Sequence, residues 1–487
     1  MQILFKVFKT MAKAQNIVGR TAELETLDRV YASQKSEFVI LYGRRRVGKT
    51  FLVNQKFGDT FTFRMSALSN AKMAQQLVNF QVTLAAASPR FSGIQAPENW
   101  FAAFQLLIQL VSEDSRSRKV IFFDELPWFD THGSDFLQSL EHFWNSWASI
   151  RSDIVLIGCG SSASWMINQL IHNHGGLHNR ITERISLQPF TLAETEAFLT
   201  KKGGVFDRYQ LLELYMAMGG IPYYLEQVQV NRSVAQNIDR LFFTSGAMLN
   251  LEYSDLYRSL FNRPERHIAI VEALARKSKG LSRKELLAAA GLADGGAATT
   301  TLDELEHSGF IRRYFPFGKT KRDALYQLID PYTLFYLSFV HDTRAEGKGA
   351  WLQQSNSPRW RAWSGYAFEY ICRYHIESIK KALGINGIYT EISNWRSKYS
   401  KDGAQIDLII DRSDRVINIC EMKFSTTPFT IDKAYAATLR NKITVFREES
   451  QTQKTLFLTM VTTFGIKPNE HAIQLVNESL DMSALFE

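Results

Sequence analysis

The stretch from Glu37 to Thr50, EFVILYGRRRVGKT, constrains this chain more than any other. Its first half is an apolar run that predicts a buried parallel strand ending at Gly43. The next residues have the spacing G-x-x-x-x-G-K-T, and a helix is expected from Phe51. Gly43 and Gly48 allow backbone conformations that aim successive N–H groups at an anion, and the helix N-terminus adds partial positive charge. The stretch therefore predicts a phosphate-binding loop.

The polar residues of this loop have expected roles. Lys49 is expected to reach the β- and γ-phosphates of a nucleotide, and Thr50 to ligate Mg²⁺. Arg46, inside the loop, is a further candidate for nucleotide binding. A glycine-containing loop can match this spacing by chance, but the strand before it and the helix after it are the context that the motif requires.

A second buried strand, KVIFFDE from Lys119 to Glu125, ends in two carboxylates. At the carboxyl end of a parallel strand they are expected in the crevice where such sheets bind ligands. Asp124 suits the Mg²⁺ shell, and Glu125 suits polarising the attacking water. The alternative is that both residues begin a solvated turn, since Pro127 follows.

Two further segments are candidates for sensing the phosphates. A third apolar strand, 153–159, is followed by Ser161 and Ser162, either of which is placed to contact the γ-phosphate or the water. Small residues here fit a tight turn before a helix equally well. Arg180 lies in an expected surface segment, where it is either an arginine finger acting on a neighbouring subunit or a solvated side chain.

Composition narrows the class of protein only moderately. With 487 residues, the chain is expected to hold about three domains. A net charge of +8 and a pI near 9.1 favour polyanionic partners, without separating nucleic acid from a membrane surface. Three widely spaced cysteines suggest neither disulfides nor a zinc site, which fits a reducing cytoplasm. Residues 1–11 lack the apolar run of a signal peptide, and no stretch approaches the length of a membrane span.

Six ordered motifs together resemble the archaeal-type STAND ATPases, which are AAA+-related P-loop proteins. The motifs are VGR at 18–20, GRRRVGKT at 43–50, FFDELPW at 122–128, GSSASWM at 160–166, GGLHNRIT at 175–182 and GGIPYYL at 219–225. The resemblance spans nearly the whole chain. It implies ATP as the nucleotide, with Lys49 and Thr50 on phosphate and magnesium and Pro222 near the adenine.

The resemblance and the chain pattern together predict a multidomain α/β protein. A P-loop AAA+-like core with a parallel sheet is expected at 1–195 and a helical lid at 196–262. A winged helix is expected at 263–330, and a linker helix with a restriction-endonuclease-like α/β domain at 331–487. Motion of the lid would couple the nucleotide state to the later domains.

The expected winged helix has an ambiguous charge pattern. Its expected recognition helix carries acidic residues and no basic ones, which is poor chemistry against a phosphate-lined groove. The basic residues fall instead in the expected wing: Arg312, Arg313, Lys319, Lys321 and Arg322. This favours contact with nucleic acid led by the wing, while a protein-docking or structural winged helix is the alternative.

The last quarter of the chain carries a second candidate site. Two strands, 403–410 and 416–423, are expected to form a hairpin, and a turn centred near Asp414 puts Asp407 opposite Glu421. Glu421 and Lys423 then share one face. A hard divalent cation would neutralise the carboxylates and bind a phosphodiester oxygen and a water, which Lys423 would orient.

This pattern resembles the D…(D/E)-x-K signature of the PD-(D/E)xK nucleases. Glu369 resembles the acidic residue from the first core helix of that superfamily, which makes Glu369, Asp407 and Glu421 the expected metal ligands. Ile406 stands where the family has proline. The alternative is a surface salt bridge between Glu421 and Lys423, worth about 0 to 1 kcal/mol.

Three functions follow from these observations. The leading hypothesis is an ATP-hydrolysing enzyme whose nucleotide cycle controls a DNA-directed, Mg²⁺-dependent nuclease, with a homo-oligomer possible. The second is a nucleotide-operated switch whose C-terminal domain binds nucleic acid or protein without cutting. The third is a chaperone-like ATPase acting on protein.

Overall fold

The computed structural model describes residues 17–171, 176–177, 179–277, 279–320, 323–341, 349–355, 357–397 and 404–487. The chain divides into two compact units, Met1–Pro189 and Phe190–Glu487. No described helix is both long enough and apolar enough to cross a lipid bilayer.

The first unit is built on a five-stranded, all-parallel sheet with the strand order β2-β3-β4-β1-β5. Its strands are β1 (Glu37–Tyr42), β2 (Phe61–Ser66), β3 (Lys119–Asp124), β4 (Ile154–Gly160) and β5 (Glu183–Ser186). Its helices are α1 (Thr21–Ala32), α2 (Lys49–Phe57), α3 (Met73–Ala87), α4 (Trp100–Glu113), α5 (Phe136–Phe143) and α6 (Ala163–Trp165). Short 3₁₀ turns occupy Pro89–Phe91 and Leu126–Trp128, and π-helical turns occupy Trp144–Ala148 and Met166–Ile171. The predicted parallel-sheet core is confirmed.

Burial explains why these strands are continuous apolar runs. Every residue of β3 and β4 is buried, as is β1 up to its last residue. Strands covered on both faces cannot alternate polar with apolar side chains. Aromatic rings fill one side of the sheet, with Phe123 contacting Phe63, Phe104 and Phe129 at centroid distances of 5.7 to 5.9 Å. Because the strands are parallel, their carboxyl ends lie at one edge.

The second unit begins with a group of helices. In chain order these are α7 (Leu192–Lys201), α8 (Arg208–Met218), α9 (Pro222–Glu226), α10 (Val234–Ile238), α11 (Met248–Leu260) and α12 (Pro264–Ala275), with a π-helical turn at Asp239–Phe243 between α10 and α11. Capping boxes at Thr191, Asp207 and Ser233 begin three of them.

A three-stranded antiparallel sheet follows, in the order β6-β8-β7. The elements are β6 (Leu281–Ser282), α13 (Arg283–Ala289), α14 (Gly296–His307), β7 (Ile311–Tyr314) and β8 (Leu325–Leu328). The predicted capping box at Ser282 is present, with the Ser282 hydroxyl and the Glu285 carboxylate bonded to each other's backbone N–H groups.

The C-terminal part of the second unit contains a mixed five-stranded sheet, ordered β13-β12-β11-β10-β9. Its strands are β9 (Thr390–Arg396), β10 (Gln405–Arg412), β11 (Val416–Lys423), β12 (Thr455–Thr462) and β13 (Glu478–Leu480). The helices are α15 (Pro331–Phe335), α16 (Ala350–Gln354), α17 (Pro358–Tyr374), α18 (Ile376–Ala382), α19 (Lys433–Ser450) and α20 (Glu470–Leu475), with a π-helical turn at Tyr336–Val340 and a final 3₁₀ turn at Met482–Phe486. An additional C-terminal sheet domain is therefore present, as expected.

Candidate functional sites

The loop between β1 and α2 has the backbone that its glycines predict. Gly43 has φ 145° and Gly48 has φ 95°, a region that L side chains rarely adopt. A Cβ atom added at Gly43 would lie 2.3 Å from the backbone oxygen of Leu187. Gly43 is therefore required both for its conformation and for the close approach of the segment after β5. Arg46 also has positive φ, at 70°, in the middle of the loop.

Lys49 ties the end of this loop to its beginning. Its ammonium donates hydrogen bonds to the backbone oxygens of Gly43 and Arg44, each at 2.9 Å, and the side chain is buried. Burial lowers the pKa of the Lys49 ammonium, and the charges of Glu125 and Asp124 offset only part of that effect. A desolvated cation held by carbonyl oxygens is well prepared to pair with an anion that displaces them.

Thr50 and Asp124 meet where α2 begins and β3 ends. The Thr50 hydroxyl lies 3.1 and 2.9 Å from the two carboxylate oxygens of Asp124, to which it donates, and Asp124 is buried. Hydroxyl and carboxylate oxygens are the ligands that Mg²⁺ prefers. The two residues therefore fit a magnesium ion bound beside the loop.

Glu125 and Ser161 form a second polar pair at the same sheet edge. Glu125 has φ 54°, which is unusual for a residue with a side chain. Its Oε2 atom accepts hydrogen bonds from the Ser161 N–H at 3.1 Å and the Ser161 hydroxyl at 2.8 Å. Of the two serines considered from the sequence, Ser161 is the one that contacts Glu125. The Ser161 hydroxyl therefore donates to the neighbouring carboxylate, a contact that the sequence did not suggest.

Arg20 is a contributor that reasoning from the sequence missed. Its guanidinium is buried, donates to the Val47 oxygen in the loop at 3.1 Å and lies 3.7 Å from Glu23. Thr21 is the first residue of α1. The cap is Arg20 itself, in the left-handed conformation with φ 59° and no side-chain cap bond. The available signal was the glycine before Arg20, which accompanies unusual backbone turns.

Two residues that were predicted to contact the nucleotide, Arg180 and Pro222, are distant in sequence from the phosphate loop. Arg180 is exposed in a turn closed by the bond from its N–H to the Leu177 oxygen at 3.0 Å. Pro222 is the first residue of α9 in the second unit. Gly219, three residues earlier, has φ 64° and ends α8. The roles of Arg180 and Pro222 stay predictions.

The second candidate site lies on the hairpin of β10 and β11. Leu408 pairs with Cys420 and Asp411 with Ile417, and continuing this register by one residue puts Asp407 opposite Glu421. This is the register predicted from a turn centred at Asp414. Together with Glu369 and Lys423, both carboxylates line one cavity of about 920 Å³. The structure therefore brings the four predicted residues to the same space.

Glu421 is satisfied by protein cations rather than left as a free carboxylate. Its oxygens lie 2.7 Å from the Lys442 ammonium and 3.0 Å from the Lys423 ammonium, and the Tyr435 hydroxyl donates to it. Burial works to raise the pKa of Glu421, but the charges of Lys442 and Lys423 outweigh burial and hold the pKa below its ordinary value. In the structure, Lys442 and Lys423 therefore supply the positive charge that was expected from a metal ion.

Asp407 and Glu369 differ from Glu421 in their surroundings. The Gln405 amide donates to the Asp407 carboxylate, and Arg373 donates to the Asp407 backbone oxygen. Burial, with the charge of Asp407, raises the pKa of Glu369 to about 8. Within the described ranges, no three His, Cys, Asp or Glu side chains are grouped closely enough to hold a metal ion. The assignment of Glu369, Asp407 and Glu421 as metal ligands stays a prediction.

The basic residues expected on the wing are distributed differently in the structure. Arg312 lies half-buried on β7, where burial lowers the pKa of its guanidinium. Arg313, also on β7, lies 3.6 Å from Glu306. Lys319 lines the 920 Å³ cavity, whereas Lys321 and Arg322 fall outside the described residues. Two of the five, Arg312 and Arg313, are thus residues of strand β7.

The acidic residues of α14 also have partners. Glu304 lies 2.7 Å from the Nε2 atom of His267 on α12, and Glu306 lies near Arg313. These contacts hold α14 against its neighbours and give Glu304 and Glu306 a structural role.

Comparison with known proteins is consistent with the geometry of the first unit. Residues 17–228 match the family model described as an ATPase domain predominantly from Archaea. An uncharacterized protein of Methanocaldococcus jannaschii, MJECL04, is 24% identical over 84% of this chain and 87% of its own length. An uncharacterized ATP-binding protein of the same organism, MJ0423, is 53% identical over 38 residues, which cover 8% of this chain and 64% of that protein.

Two solved structures align with this chain at lower sequence identity than the relatives above. The Walker-type ATPase PABY2304 of Pyrococcus abyssi aligns with 66% of this chain and 96% of its own, at 18% identity and a TM-score of 0.49. The ORC2 protein of Aeropyrum pernix, in its ADPNP-ADP complexes, aligns with 66% of this chain and 94% of its own, at 14% identity and a TM-score of 0.39.

The family match covers the strands and the loop that carry Lys49, Thr50, Asp124 and Glu125. Residues 17–228 are therefore similar to archaeal ATPase domains throughout their phosphate-binding region, and this similarity supports ATP binding and hydrolysis by this part of the chain.

Proposed function

We propose that this chain is a Mg²⁺-dependent ATPase of the STAND type whose second unit carries a winged helix and a PD-(D/E)xK nuclease-like domain directed at DNA. The observation that carries the nuclease assignment is the register of β10 and β11. It sets Asp407 opposite Glu421, with Lys423 on the same face and Glu369 lining the same cavity. The helices α12 to α14 and the sheet of β6 to β8 have the element order of a winged helix.

The ATPase residues divide the chemistry among them. The loop backbone and Lys49 bind the phosphates, while Thr50 and Asp124 would hold Mg²⁺, which neutralises charge on the transferred phosphoryl group. Glu125 orients and polarises the attacking water, and Ser161 fixes the Glu125 carboxylate through two donors. Arg180 is exposed at the surface, from which it would reach a nucleotide bound by a second copy of the chain.

The residues of the nuclease-like site also have separate chemical roles. Glu369, Asp407 and Glu421 would hold the divalent cation, which supplies a Lewis acid for the phosphodiester. Lys423 would orient the water nucleophile. In the structure Lys423 is bonded to Glu421, so binding of a cation at Glu421 would free the ammonium of Lys423 for that role.

Point variants test the ATPase assignment. Lys49→Ala is expected to lose ATP binding, because it removes the buried ammonium that would pair with the phosphates. Glu125→Gln is expected to bind ATP but to turn it over about a hundredfold more slowly. Calorimetry with Mg-ATP and steady-state phosphate release measure the two effects. Unaltered hydrolysis in both variants would remove the assignment.

The nuclease assignment is tested with plasmid and branched DNA in the presence of Mg²⁺. Cleavage is expected from the unaltered chain and not from Lys423→Ala. Lys381→Ala is the matched control, because Lys381 is exposed on α18 and does not line the cavity. Intact DNA with all three proteins, over several substrates and metals, would contradict cleavage.

One observation favours the switch as the second candidate. The carboxylate of Glu421 already has two lysine partners at 2.7 and 3.0 Å, so it is satisfied without a metal ion. A domain of this kind would bind nucleic acid without cutting it. Lys423-dependent binding of DNA with no cleavage under any divalent cation would select this candidate.

A further inference from the structure

The cavity around Glu369 and Asp407 is walled on one side by the loop between β7 and β8. The backbone N–H of Phe317 donates to the Asn394 oxygen of β9 at 2.7 Å. The Phe317 ring contacts Phe446 of α19 edge-on at 5.1 Å, against the core of the C-terminal sheet. The loop is therefore anchored to the sheet that carries the carboxylates, and its residues 316–319 line their cavity.

The size of the cavity limits what it can hold. Its volume of about 920 Å³ lies within the range of roughly 300 to 1,000 Å³ found for clefts that enclose small ligands. A few nucleotides of a single strand have this size. A continuous duplex carries a second backbone beside the first and therefore needs a wider opening than a single strand does.

The side chains of the cavity suit a flexible polyanion. Six of them are basic, namely Lys279, Lys319, Arg373, Arg396, Lys423 and Lys442, and five are acidic, namely Glu285, Glu369, Asp407, Glu421 and Glu449. Tyr366, Glu369 and Arg373 follow one another at helical spacing on one face of α17, and all three line the cavity. Tyr366 is 48% exposed, so its ring is accessible beside these charged side chains. Cationic grooves with accessible aromatic rings are how proteins bind single strands, since every base can stack.

We propose that this cavity takes the single-stranded end of a nucleic acid, with a base stacked on Tyr366, and that the anchored Phe317 loop excludes continuous duplex. The proposal rests on the nuclease-like function proposed above and names the substrate class of that same site. The phosphate next to the stacked base lies toward Lys423 and Asp407, and the strand leaves past Lys319 and Lys279.

Fluorescence anisotropy of the full-length protein with labelled oligonucleotides tests the proposal. The probes are a single strand, a duplex with a single-stranded overhang, a blunt hairpin and a covalently closed duplex circle offered as competitor. The unaltered chain is expected to bind the first two at least about tenfold more tightly than the last two. Tyr366→Ala is expected to remove most of this preference and Tyr366→Phe to retain it, because stacking needs the ring and not the hydroxyl.

Phe317→Ala supplies a second, opposite readout. Loss of the Phe446 contact releases the loop, so affinity for the closed duplex is expected to rise while single-strand affinity changes little. Near-ultraviolet circular dichroism checks that all three variants remain folded.

The possible failures separate the two proposals. Lys423-dependent binding that is equally tight for single strand and closed duplex would overturn this inference and leave the nuclease-like function standing. Absence of Lys423-dependent binding to every probe would overturn the proposed function itself, and this inference with it.

Discussion

Three side-chain-bearing residues around the phosphate loop adopt left-handed backbone conformations. They are Arg20 with φ 59°, Arg46 with φ 70° and Glu125 with φ 54°. Each such residue costs on the order of 1 kcal/mol, and such costs concentrate where a protein must place a functional group. Arg20 supports the loop, Arg46 lies inside it and Glu125 ends the neighbouring strand. At the ATPase site these residues therefore adopt backbone conformations that they do not prefer locally, because the site needs their side chains in those positions.

Gly43 offers a test of the loop at the level of one atom. Gly43→Ala adds a Cβ atom 2.3 Å from the Leu187 oxygen, which the backbone can relieve only by moving. We expect a loss of about 3 kcal/mol in the free energy of unfolding, measured by urea denaturation, together with loss of ATP binding. Gly133→Ala is the control, since Gly133 also has positive φ, at 74°, but nothing lies within 4 Å of its added Cβ. It should cost about 1 kcal/mol, and an equal cost for both variants would contradict the role of the contact.

Ser161 offers a test of how Glu125 is positioned. Ser161→Ala removes the hydroxyl that donates to the Glu125 carboxylate at 2.8 Å and leaves the backbone donor in place. We expect kcat for ATP hydrolysis to fall about tenfold with little change in KM, because the lost bond orients the carboxylate and does not hold the substrate. Ser162→Ala is the matched control and should behave as the unaltered chain. A rise in KM with unchanged kcat would instead indicate direct contact of Ser161 with the nucleotide.

At the scale of elements, α8 is held against the C-terminal sheet by aromatic stacking. The Tyr209 ring stacks on Phe424 at 5.1 Å and on Phe464 at 5.5 Å. Phe424 directly follows Lys423 of the nuclease-like site. Movement of α8 would therefore displace Phe424 at the end of β11. This contact is a physical route by which the helices of the second unit can influence that site.

Glu213, one turn after Tyr209 on α8, makes this element sensitive to pH. Burial, with the charge of Asp207, raises the pKa of Glu213 to about 7. Between the ordinary carboxyl pKa and pH 7 the folded protein keeps a proton that the unfolded chain has lost, so the free energy of unfolding falls as pH rises through that window. We expect the fall to be on the order of 1 to 3 kcal/mol and to be absent in Glu213→Gln.

Urea denaturation at pH 4.5 and pH 8 measures this effect. Glu377→Gln is the control, because the Glu377 side chain is 76% exposed on α18 and its removal should leave the pH dependence unchanged. A Glu213→Gln variant whose stability depends on pH as steeply as that of the unaltered chain would show that another group is responsible.

At the scale of the whole molecule, the division into two compact units predicts separable responses to ligand. A nucleotide that binds only the folded first unit stabilises it by about 2.7 kcal/mol at a concentration one hundred times its Kd. We expect Mg-ATP to slow hydrogen exchange about a hundredfold in peptides from β1 and β3 and to leave peptides from β11 and β12 unchanged. Mass spectrometry of the exchanged peptides measures the exchange rates of both sets, and Lys49→Ala should abolish the added protection from exchange. An equal increase in protection from exchange in all four strands would mean that the two units unfold as one.

The parts predicted well are those governed by neighbours in the chain. The apolar runs of β1, β3 and β4, the loop between Gly43 and Thr50 and the capping box at Ser282 follow from local patterns and were predictable. The same is true of the β10–β11 register, because a short turn and a side-chain period of two leave little freedom. The parallel-sheet core followed from the alternation of strands with helices.

The parts predicted poorly depend on residues far apart in sequence. Lys442 was not expected beside Glu421, because it lies on α19, 21 residues further along the chain. Arg20 contacts Val47 across 27 residues. The exposure of Arg312 was misjudged because its burial depends on α17, and anchoring of the Phe317 loop depends on β9 and α19.

The amino-acid order alone determined that an anion-binding loop follows a buried strand, that two carboxylates end another strand, and that Asp407 faces Glu421 on a hairpin. These features need only steric preference, periodicity and a short turn. Only the tertiary structure decided that Glu421 is neutralised by two lysines, that Ser161 holds Glu125 and that the β7–β8 loop walls the second cavity. Each of those contacts joins distant segments, and their distances are set by packing of the whole sheet rather than by any local preference of the chain.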